Sequence, residues 1–465
     1  MCGIIGIYNH PEAATLAYLG LYAQQHRGQE SAGIATGNGD KMKIHLSMGQ
    51  VPDIFSQGVL NTLKGIHAIG HVRYSTQGES HIRNCQPFMV NFSSGSMAVV
   101  HNGNIVNALS LRKKFEDSGA IFQSNIDTEV VMHLLARSKQ QTIRERITDA
   151  LSALDGAFSL LFLTKDTMIA ARDSSGFRPL VLGKKNGAHI VASETSAFDL
   201  IGAEFVREIE PGEVVFFSGD QIESFRFADN NHKKNHCIFE YVYFARPDSH
   251  VFNRDVYEIR KGFGHQLAKE SATRADLVVP VPDSGVPAAI GYSHESKIPF
   301  EMGLVRNHYV GRTFIEPEQN IRHFGVKVKL NPVRKTFEGK KVILVDDSIV
   351  RGTTSKKIVK MIRDAGAKEI HLKISSPPTK WPCFYGMDTP SRRELISAKK
   401  TVEETRLHIE CDSLQYLSVE SLYWFDKINN KEWFCDACFT GKYPVGRAEV
   451  EKKIRFETGE AIKPL

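Results

Sequence analysis

No stretch of the chain reaches the ~18 consecutive apolar residues that a membrane-spanning helix needs, and the N-terminus has neither the charged n-region nor the apolar h-region of a secretion signal. Those absences predict a cytoplasmic protein without a membrane partner. Cysteine is sparse, seven in 465 residues; without a secretion signal, these thiols point to metal binding or catalysis more than to disulfides. There is also no long block of lysine or arginine. The net charge of +6 is the small difference between 59 basic and 53 acidic residues, which argues against nucleic acid as a partner and suits anionic small substrates at most. Internal repeats and low-complexity tracts are missing too. What is there, 42% hydrophobic and 24% charged residues, is the balance of a globular protein long enough for two domains or more.

Cys2 stands between Met1 and Gly3, so removal of methionine would make it the first residue. Its new α-amino group would titrate near ~7.7–8.0 and could take the proton from its own thiol, joining nucleophile and base in one residue.

Two textures divide the chain. From Cys2 to about Gly219, short segments such as CGIIGIY, AIGHVRYST, MAVVHNGNI, FSLLFLT and HIVASE alternate apolar and polar residues, as half-buried antiparallel strands do. Helical spacing marks Asp127 to Ser138 and Thr142 to Leu154, which predicts helices laid against those sheets in a layered α+β domain. After a polar stretch around Asn230 to Asn235 the pattern becomes strand, loop, helix, strand, a βαβ unit of a parallel sheet. Its helix buries Ile358, Met361, Ile362 and Ala365 and ends near Gly366.

The loop of that unit carries the strongest chemistry. Val342 to Val345 form a strand, Asp346 and Asp347 stand at its carboxyl end, and Ser348 to Thr354 turn into the helix through Gly352. Ligands of open α/β sheets bind at that place. Backbone N–H groups entering the helix, with the Ser348, Thr353 and Thr354 hydroxyls, can cradle a phosphate; the two carboxylates can hold ribose hydroxyls and reach Mg²⁺.

VILVDDSIVRGTTS resembles the phosphoribosyl pyrophosphate signature of the type I phosphoribosyltransferases. The resemblance implies that Asp346, Asp347, Ser348, Ile349, Val350, Arg351, Gly352, Thr353 and Thr354 bind phosphoribosyl pyrophosphate. Ser284, in the second loop Pro282-Asp283-Ser284-Gly285, would join the aspartates at the Mg²⁺. Asn307 to Arg334, with Arg312, Lys327, Lys329 and Arg334, suits a flap over an anion, with Lys329 as a further ligand; His308 stands where the family commonly has arginine.

The first half is similar, in order along the chain, to the class II glutamine amidotransferases, whose fold is that of the N-terminal nucleophile hydrolases. Cys2-Gly3-Ile4, HRGQESAG (His26 to Gly33), GHVRYST (Gly70 to Thr76), HNGNI (His101 to Ile105) and Ile126 to Glu129 carry the match. The implied fold is an α+β four-layer sandwich over 2–235. It would be followed by a linker over 236–260, an α/β phosphoribosyltransferase domain with a parallel sheet over 261–400, and a C-terminal segment over 401–465. The implied roles are Cys2 as nucleophile, Asn102 and the Gly103 N–H as oxyanion hole, and Arg73, Asp127, Arg27 and Thr76 as the glutamine site. His26, His71 and His101 are read as structural.

Enzymes that join both halves release ammonia from glutamine and use it to displace pyrophosphate from phosphoribosyl pyrophosphate. They make 5-phosphoribosylamine, which opens purine synthesis, and the family suggests a homotetramer under purine nucleotide feedback. Glucosamine- or asparagine-forming relatives of the glutaminase lack the VDDSIVRGTTS loop, and a non-enzymatic nucleotide binder would not need every one of these residues. Cys435 and Cys438 form CDAC, which with Cys237 and Cys383 could hold zinc or an iron–sulfur cluster. Family members of the Bacillus type carry a [4Fe–4S] cluster at cysteines in matching contexts, here HCIFEYVYF, WPCFYGMD and CDACFTGKYP. Those members also have a short propeptide, whereas only Met1 precedes Cys2 here, so loss of methionine should suffice. Cys85 and Cys411 read as core residues.

Overall fold

A computed structural model describes residues 1–74, 80–92, 95–228, 233–307, 330–387, 389, 391–426 and 430–446. Its first half contains a seven-stranded and a six-stranded sheet, antiparallel throughout. In the first, Gly3–Tyr8 is central, between Ala188–Ala192 and His67–Arg73. In the second, Gly95–Ile105 lies between Phe88–Phe92 and Gly156–Leu163.

Strand periodicity sorts the side chains. Ile5 and Ile7 pack in the core under helix Ala13–Ala23, whereas Ile4 and Tyr8 enter the core between the sheets with Val100, Leu161 and Ala170. Gly6 faces that inter-sheet layer, where a Cβ would come within 2.6 Å of the Met168 sulfur. Helices Thr128–Arg137 and Ile143–Ser152 cover the outer face of the second sheet; the latter starts at a capping box formed by Thr142 and Glu145. The result is four layers, helix, sheet, sheet, helix. The strands expected to be half buried are therefore covered on both faces, and every residue of Gly3–Tyr8 and of Gly156–Leu163 is buried.

The second half is built on a parallel sheet ordered Leu277–Pro280, Lys341–Asp346, Glu369–Ile374 and Ser413–Tyr416. Helix Thr353–Asp364 packs Ile358, Val359, Met361 and Ile362 onto it. Ala365 caps that helix and Gly366 follows at φ +103°. Two expected boundaries shift. Residue 260 falls inside helix Val256–Glu270, and the sheet runs past residue 400 because Ser413–Tyr416 completes it. Residues 236–260 are also no loose tether. His236–Cys237 pairs in parallel with Phe434–Cys435 from the C-terminal segment, and Glu240, Tyr241 and Val242 are buried. No helix among the described residues is long and apolar enough to cross a membrane.

Candidate active sites

Cys2 precedes the first residue of the central strand. Register pairs Gly3 with Val72, which sets Arg73 and Tyr74 beside Cys2. The thiol is 8% exposed and points its Sγ at the Tyr74 carbonyl, 3.7 Å away. The Cys2 backbone N–H donates to Asn102 Oδ1 at 3.2 Å, and Arg27 Nε donates to the Cys2 carbonyl at 3.0 Å. Asn102 comes from the other sheet, so the site lies where the two sheets meet. Its side chain is fully buried, and while Oδ1 holds Cys2, Nδ2 has no hydrogen-bond partner among the described residues. A buried donor without a partner costs on the order of 1–3 kcal/mol; here it belongs to the side chain that holds the Cys2 backbone. Gly103 sits at φ +152°, where a Cβ would come within 2.0 Å of the Ala157 carbonyl oxygen.

Met1 is fully buried and belongs to the apolar core of the second half; burial pushes its amino group down to about 5. In this form the Cys2 nitrogen is an amide and cannot act as a base.

Arg73 is 3% exposed, its Nη1 3.6 Å from Glu30 Oε2. Asp127 occupies the position before helix Thr128–Arg137, yet its side chain does not cap that helix. It turns back to the strand, accepting the Ile105 N–H at 2.8 Å and standing 3.5 Å from His101 Nδ1. Burial alone would raise the Asp127 carboxyl; the His101 ring and the Ile105 N–H outweigh it and hold the carboxyl below its usual range. The same pairing lifts His101 against its own burial, whereas burial pushes His71 down to about 3. His71 Nε2 faces the His101 carbonyl at 3.1 Å and His26 Nε2 faces Glu194 at 2.9 Å, as structural histidines would.

Arg27 departs from its expected role in gripping glutamine. Its side chain is fully buried, Nη1 meets Glu194, Nη2 donates to Glu240 at 2.8 Å, and Nε holds Cys2. All three guanidinium nitrogens are occupied from within, so this side chain fixes the Cys2 backbone and presents no cation to a ligand. Glu194, Glu240 and Tyr74 are the site neighbours that motif reading missed. Tyr74, Glu194 and Glu240 lie in the segments GHVRYST, HIVASE and HCIFEYVYF, but only the fold brings Glu194 and Glu240 to Arg27. Thr76 lies outside the described residues, as do Lys329, His308, Arg312 and Lys327.

In the second half, Asp346 ends its strand and Asp347 follows it, both buried. Ser284 Oγ from the neighbouring loop donates to Asp347 Oδ2, as does Ser348 Oγ to Oδ1, and the Asp347 N–H donates to Asp346 Oδ1 at 2.9 Å. Burial raises both carboxyls, Asp346 well above its usual range, and the Asp347 charge adds to the shift at Asp346. Two adjacent carboxylates removed from water are unfavourable without a cation, so this donor set suits a hard ion such as Mg²⁺. Gly352 takes φ +76° at the start of helix Thr353–Asp364. The Ile349 side chain is 2% exposed in the core, so only its backbone can meet a ligand, and Arg351 extends to Glu394 at 3.0 Å.

Cys237, Cys383, Cys435 and Cys438 come from three segments of chain. Cys237 pairs in register with Cys435, and Cys383 packs beside both. Burial first, then the neighbouring sulfurs, push the Cys435 and Cys438 thiols well above their usual value. Among the described residues no three His, Cys, Asp or Glu side chains are gathered tightly enough to hold a metal ion. The four sulfurs thus lie within electrostatic reach of one another without closing into a ligand shell. Four cysteines, three of them buried and Cys383 partly so, are nevertheless the donor chemistry of a zinc or cubane site once deprotonated by the metal. Cys85 and Cys411 are buried elsewhere, at 2% exposure each.

A buried thiol at the meeting of two sheets in a four-layer sandwich, anchored by an asparagine with an orphan amide donor, shares the chain with an acidic pair at the end of a parallel sheet, the two centres that a two-site amidotransferase needs. Residues 71–200 match the family described as glutamine amidotransferase domain, and residues 258–398 match that described as phosphoribosyl transferase domain. Amidophosphoribosyltransferase of Bacillus subtilis is 49% identical over 449 residues, covering 95% of this chain and 94% of its own length. A chloroplastic amidophosphoribosyltransferase of Vigna aconitifolia is 53% identical over 447 residues, covering 96% and 91%. The solved structure of the B. subtilis glutamine phosphoribosylpyrophosphate amidotransferase, complexed with ADP and GMP, superposes with a TM-score of 0.90 at 48% identity, covering 96% of this chain and 97% of that one. The chain belongs to the amidophosphoribosyltransferase family.

Proposed function

We propose that the chain transfers the amide nitrogen of glutamine to phosphoribosyl pyrophosphate, giving 5-phosphoribosylamine for purine synthesis. The observation that carries this reading is the unpartnered Nδ2 of Asn102, the side chain whose Oδ1 holds the Cys2 nitrogen, in a chain of this family that also holds the Asp346–Asp347 loop. With Met1 removed, the Cys2 amine accepts the thiol proton and the sulfur attacks the side-chain amide carbon of glutamine. The oxygen that becomes anionic takes hydrogen bonds from Asn102 Nδ2 and the Gly103 N–H. Ammonia leaves, a thioester remains on Cys2, and water hydrolyses it to glutamate. Arg73 pairs with the substrate α-carboxylate and Asp127 with its ammonium; Asp127's low pKa keeps it ionised for that task. Arg27 holds the Cys2 backbone still while the sulfur reacts.

Ammonia then attacks C1 of phosphoribosyl pyrophosphate as pyrophosphate departs. Asp346 and Asp347 orient the ribose and, with Ser284, would hold Mg²⁺, which would supply charge shielding for the leaving pyrophosphate. The backbone from Ser348 to Thr354, with its hydroxyls, receives the 5′-phosphate at the helix start. Cys237, Cys383, Cys435 and Cys438 would hold a [4Fe–4S] cluster that ties three chain segments together. Seven free thiols suit a reducing cytoplasm. Regulation by purine nucleotides in a homotetramer is proposed from the family and from the ADP and GMP in the B. subtilis structure.

The test is pyrophosphate release requiring both phosphoribosyl pyrophosphate and a nitrogen source. Cys2→Ser should abolish use of glutamine and leave synthesis from added ammonia largely intact. Equal loss of both would refute the two-site reading.

A further inference from the structure

The oxyanion strand is backed by a loop from the other half of the chain. Asn104 Nδ2 donates to the Phe384 carbonyl at 2.9 Å, a buried hydrogen bond across 280 positions. Two residues on, Gly386 lies against Gly103 so closely that a Cβ on it would sit 2.8 Å from the Gly103 Cα and carbonyl carbon. The loop between is pinned from the same side: Arg178 Nε donates to the Tyr385 carbonyl at 2.8 Å, and the Tyr385 ring stacks on Phe177 at 4.4 Å. Phe384 and Tyr385 share one apolar core with Val106 and Ala157, the latter flanking Gly103 on its other side.

We propose that residues 384–386 are the back wall of the oxyanion hole and that Asn104 is a positioning residue for glutamine hydrolysis. Asn104 touches neither glutamine nor the reacting atoms. By holding the Phe384 carbonyl it keeps Gly386 pressed on Gly103, and so fixes where the Gly103 N–H points. Gly103 cannot do this itself, since a glycine has the widest backbone freedom of any residue. The glutaminase is then completed by the second half. This inference rests on the assignment of Asn102 and Gly103 as oxyanion donors.

Asn104→Ala removes the donor, and Asn104→Asp sets an acceptor against the Phe384 carbonyl at unchanged size. Each should lower glutamine-dependent kcat by about tenfold to 10²-fold, the range set by displacing a catalytic group by up to an ångström, with KM for glutamine and the ammonia-dependent rate within about twofold. Asn104→Gln, which retains an amide donor, should recover part of the rate. Binding of the aldehyde analogue of glutamine supplies a readout independent of turnover. The Cys2 sulfur adds to its carbonyl carbon and the thiol proton ends on the resulting oxygen, which needs the hole; its affinity should fall in step with kcat, while that of glutamate, which forms no such adduct, stays constant. Full glutamine-dependent kcat in both Asn104→Ala and Asn104→Asp would overturn the proposal, as would parallel loss of the ammonia-dependent rate, which marks a purely structural role. If the unsubstituted protein released no pyrophosphate from either nitrogen source, the proposed function would fall, whereas aldehyde binding would still test the role of Asn104.

Discussion

Replacing Asn102 with aspartate leaves the side chain's shape unchanged and alters the chemistry of one atom. One carboxylate oxygen still accepts the Cys2 nitrogen, which Asn102 Oδ1 holds at 3.2 Å, so the nucleophile stays anchored. The other takes the place of Nδ2, the donor without a partner in the resting site. Losing one oxyanion donor costs ~2.7–4 kcal/mol, or ~10²–10³ in kcat. Aspartate adds a second charge next to the forming oxyanion; at ~4 Å and an effective dielectric constant of ~20, that repulsion is worth about 4 kcal/mol more. Asn102→Ala loses anchor and donor without adding charge, so the glutamine-dependent rate should fall in the order asparagine, alanine, aspartate, with aspartate lower than alanine despite its better shape. The assay is pyrophosphate release, with glutamine in one arm and ammonium in the other; the ammonium arm should be unaffected. An aspartate variant with more than about a tenth of the original glutamine-dependent kcat, or one faster than alanine, would refute the assignment of Nδ2 to the oxyanion.

Asp346→Asn combined with Asp347→Asn should abolish the glutamine- and ammonia-dependent reactions alike, and it should raise the melting temperature at pH 7. Burial raises both carboxyls in the folded state, so their ionisation costs stability as pH climbs past the ordinary value of ~3.9; the advantage of the amide variant should shrink towards zero below that pH, as melting curves at pH 3 and 7 would reveal. Protein made without oxygen should be brown and hold about four iron and four sulfide per chain; Cys383→Ser and Cys435→Ser should each be colourless and less stable, whereas Cys85→Ser and Cys411→Ser should keep the iron. One zinc per chain in a colourless preparation would replace the cluster assignment by metal analysis alone.

Motifs exposed the two chemical centres because each is local in sequence. Asp346 to Thr354 lie within one strand–loop–helix, and Asn102 and Gly103 are adjacent. Helix Ile143–Ser152 was legible from its spacing, and the structure adds the Thr142–Glu145 capping box at its start. What local reading cannot supply is the partner of a buried charge. Arg27 sits in a motif that suggests ligand binding, but its role is decided by Glu194 and Glu240, 167 and 213 positions away. The same holds for the helix boundary around residue 260, where a polar stretch upstream suggested a linker and tertiary burial of Glu240 and Tyr241 made a packed seam. Alternation along Gly3–Tyr8 identifies a strand but not that both its faces are covered, which depends on the second sheet.

Met1 lies at zero exposure in the core of the second half, so a peptidase that is to free the Cys2 amine finds the bond before it closed off once the chain has folded. A peptidase needs its substrate's end in reach, and folding buries that end. Cleavage before Cys2 is therefore expected before folding covers that bond, and a molecule that folds uncleaved is left with an amide where its base should be. Such molecules would be permanent ammonia users, a silent fraction that grows whenever folding outpaces cleavage. Adding methionine aminopeptidase to folded, untrimmed protein should therefore restore no glutamine-dependent activity, whereas adding it during refolding from denaturant should.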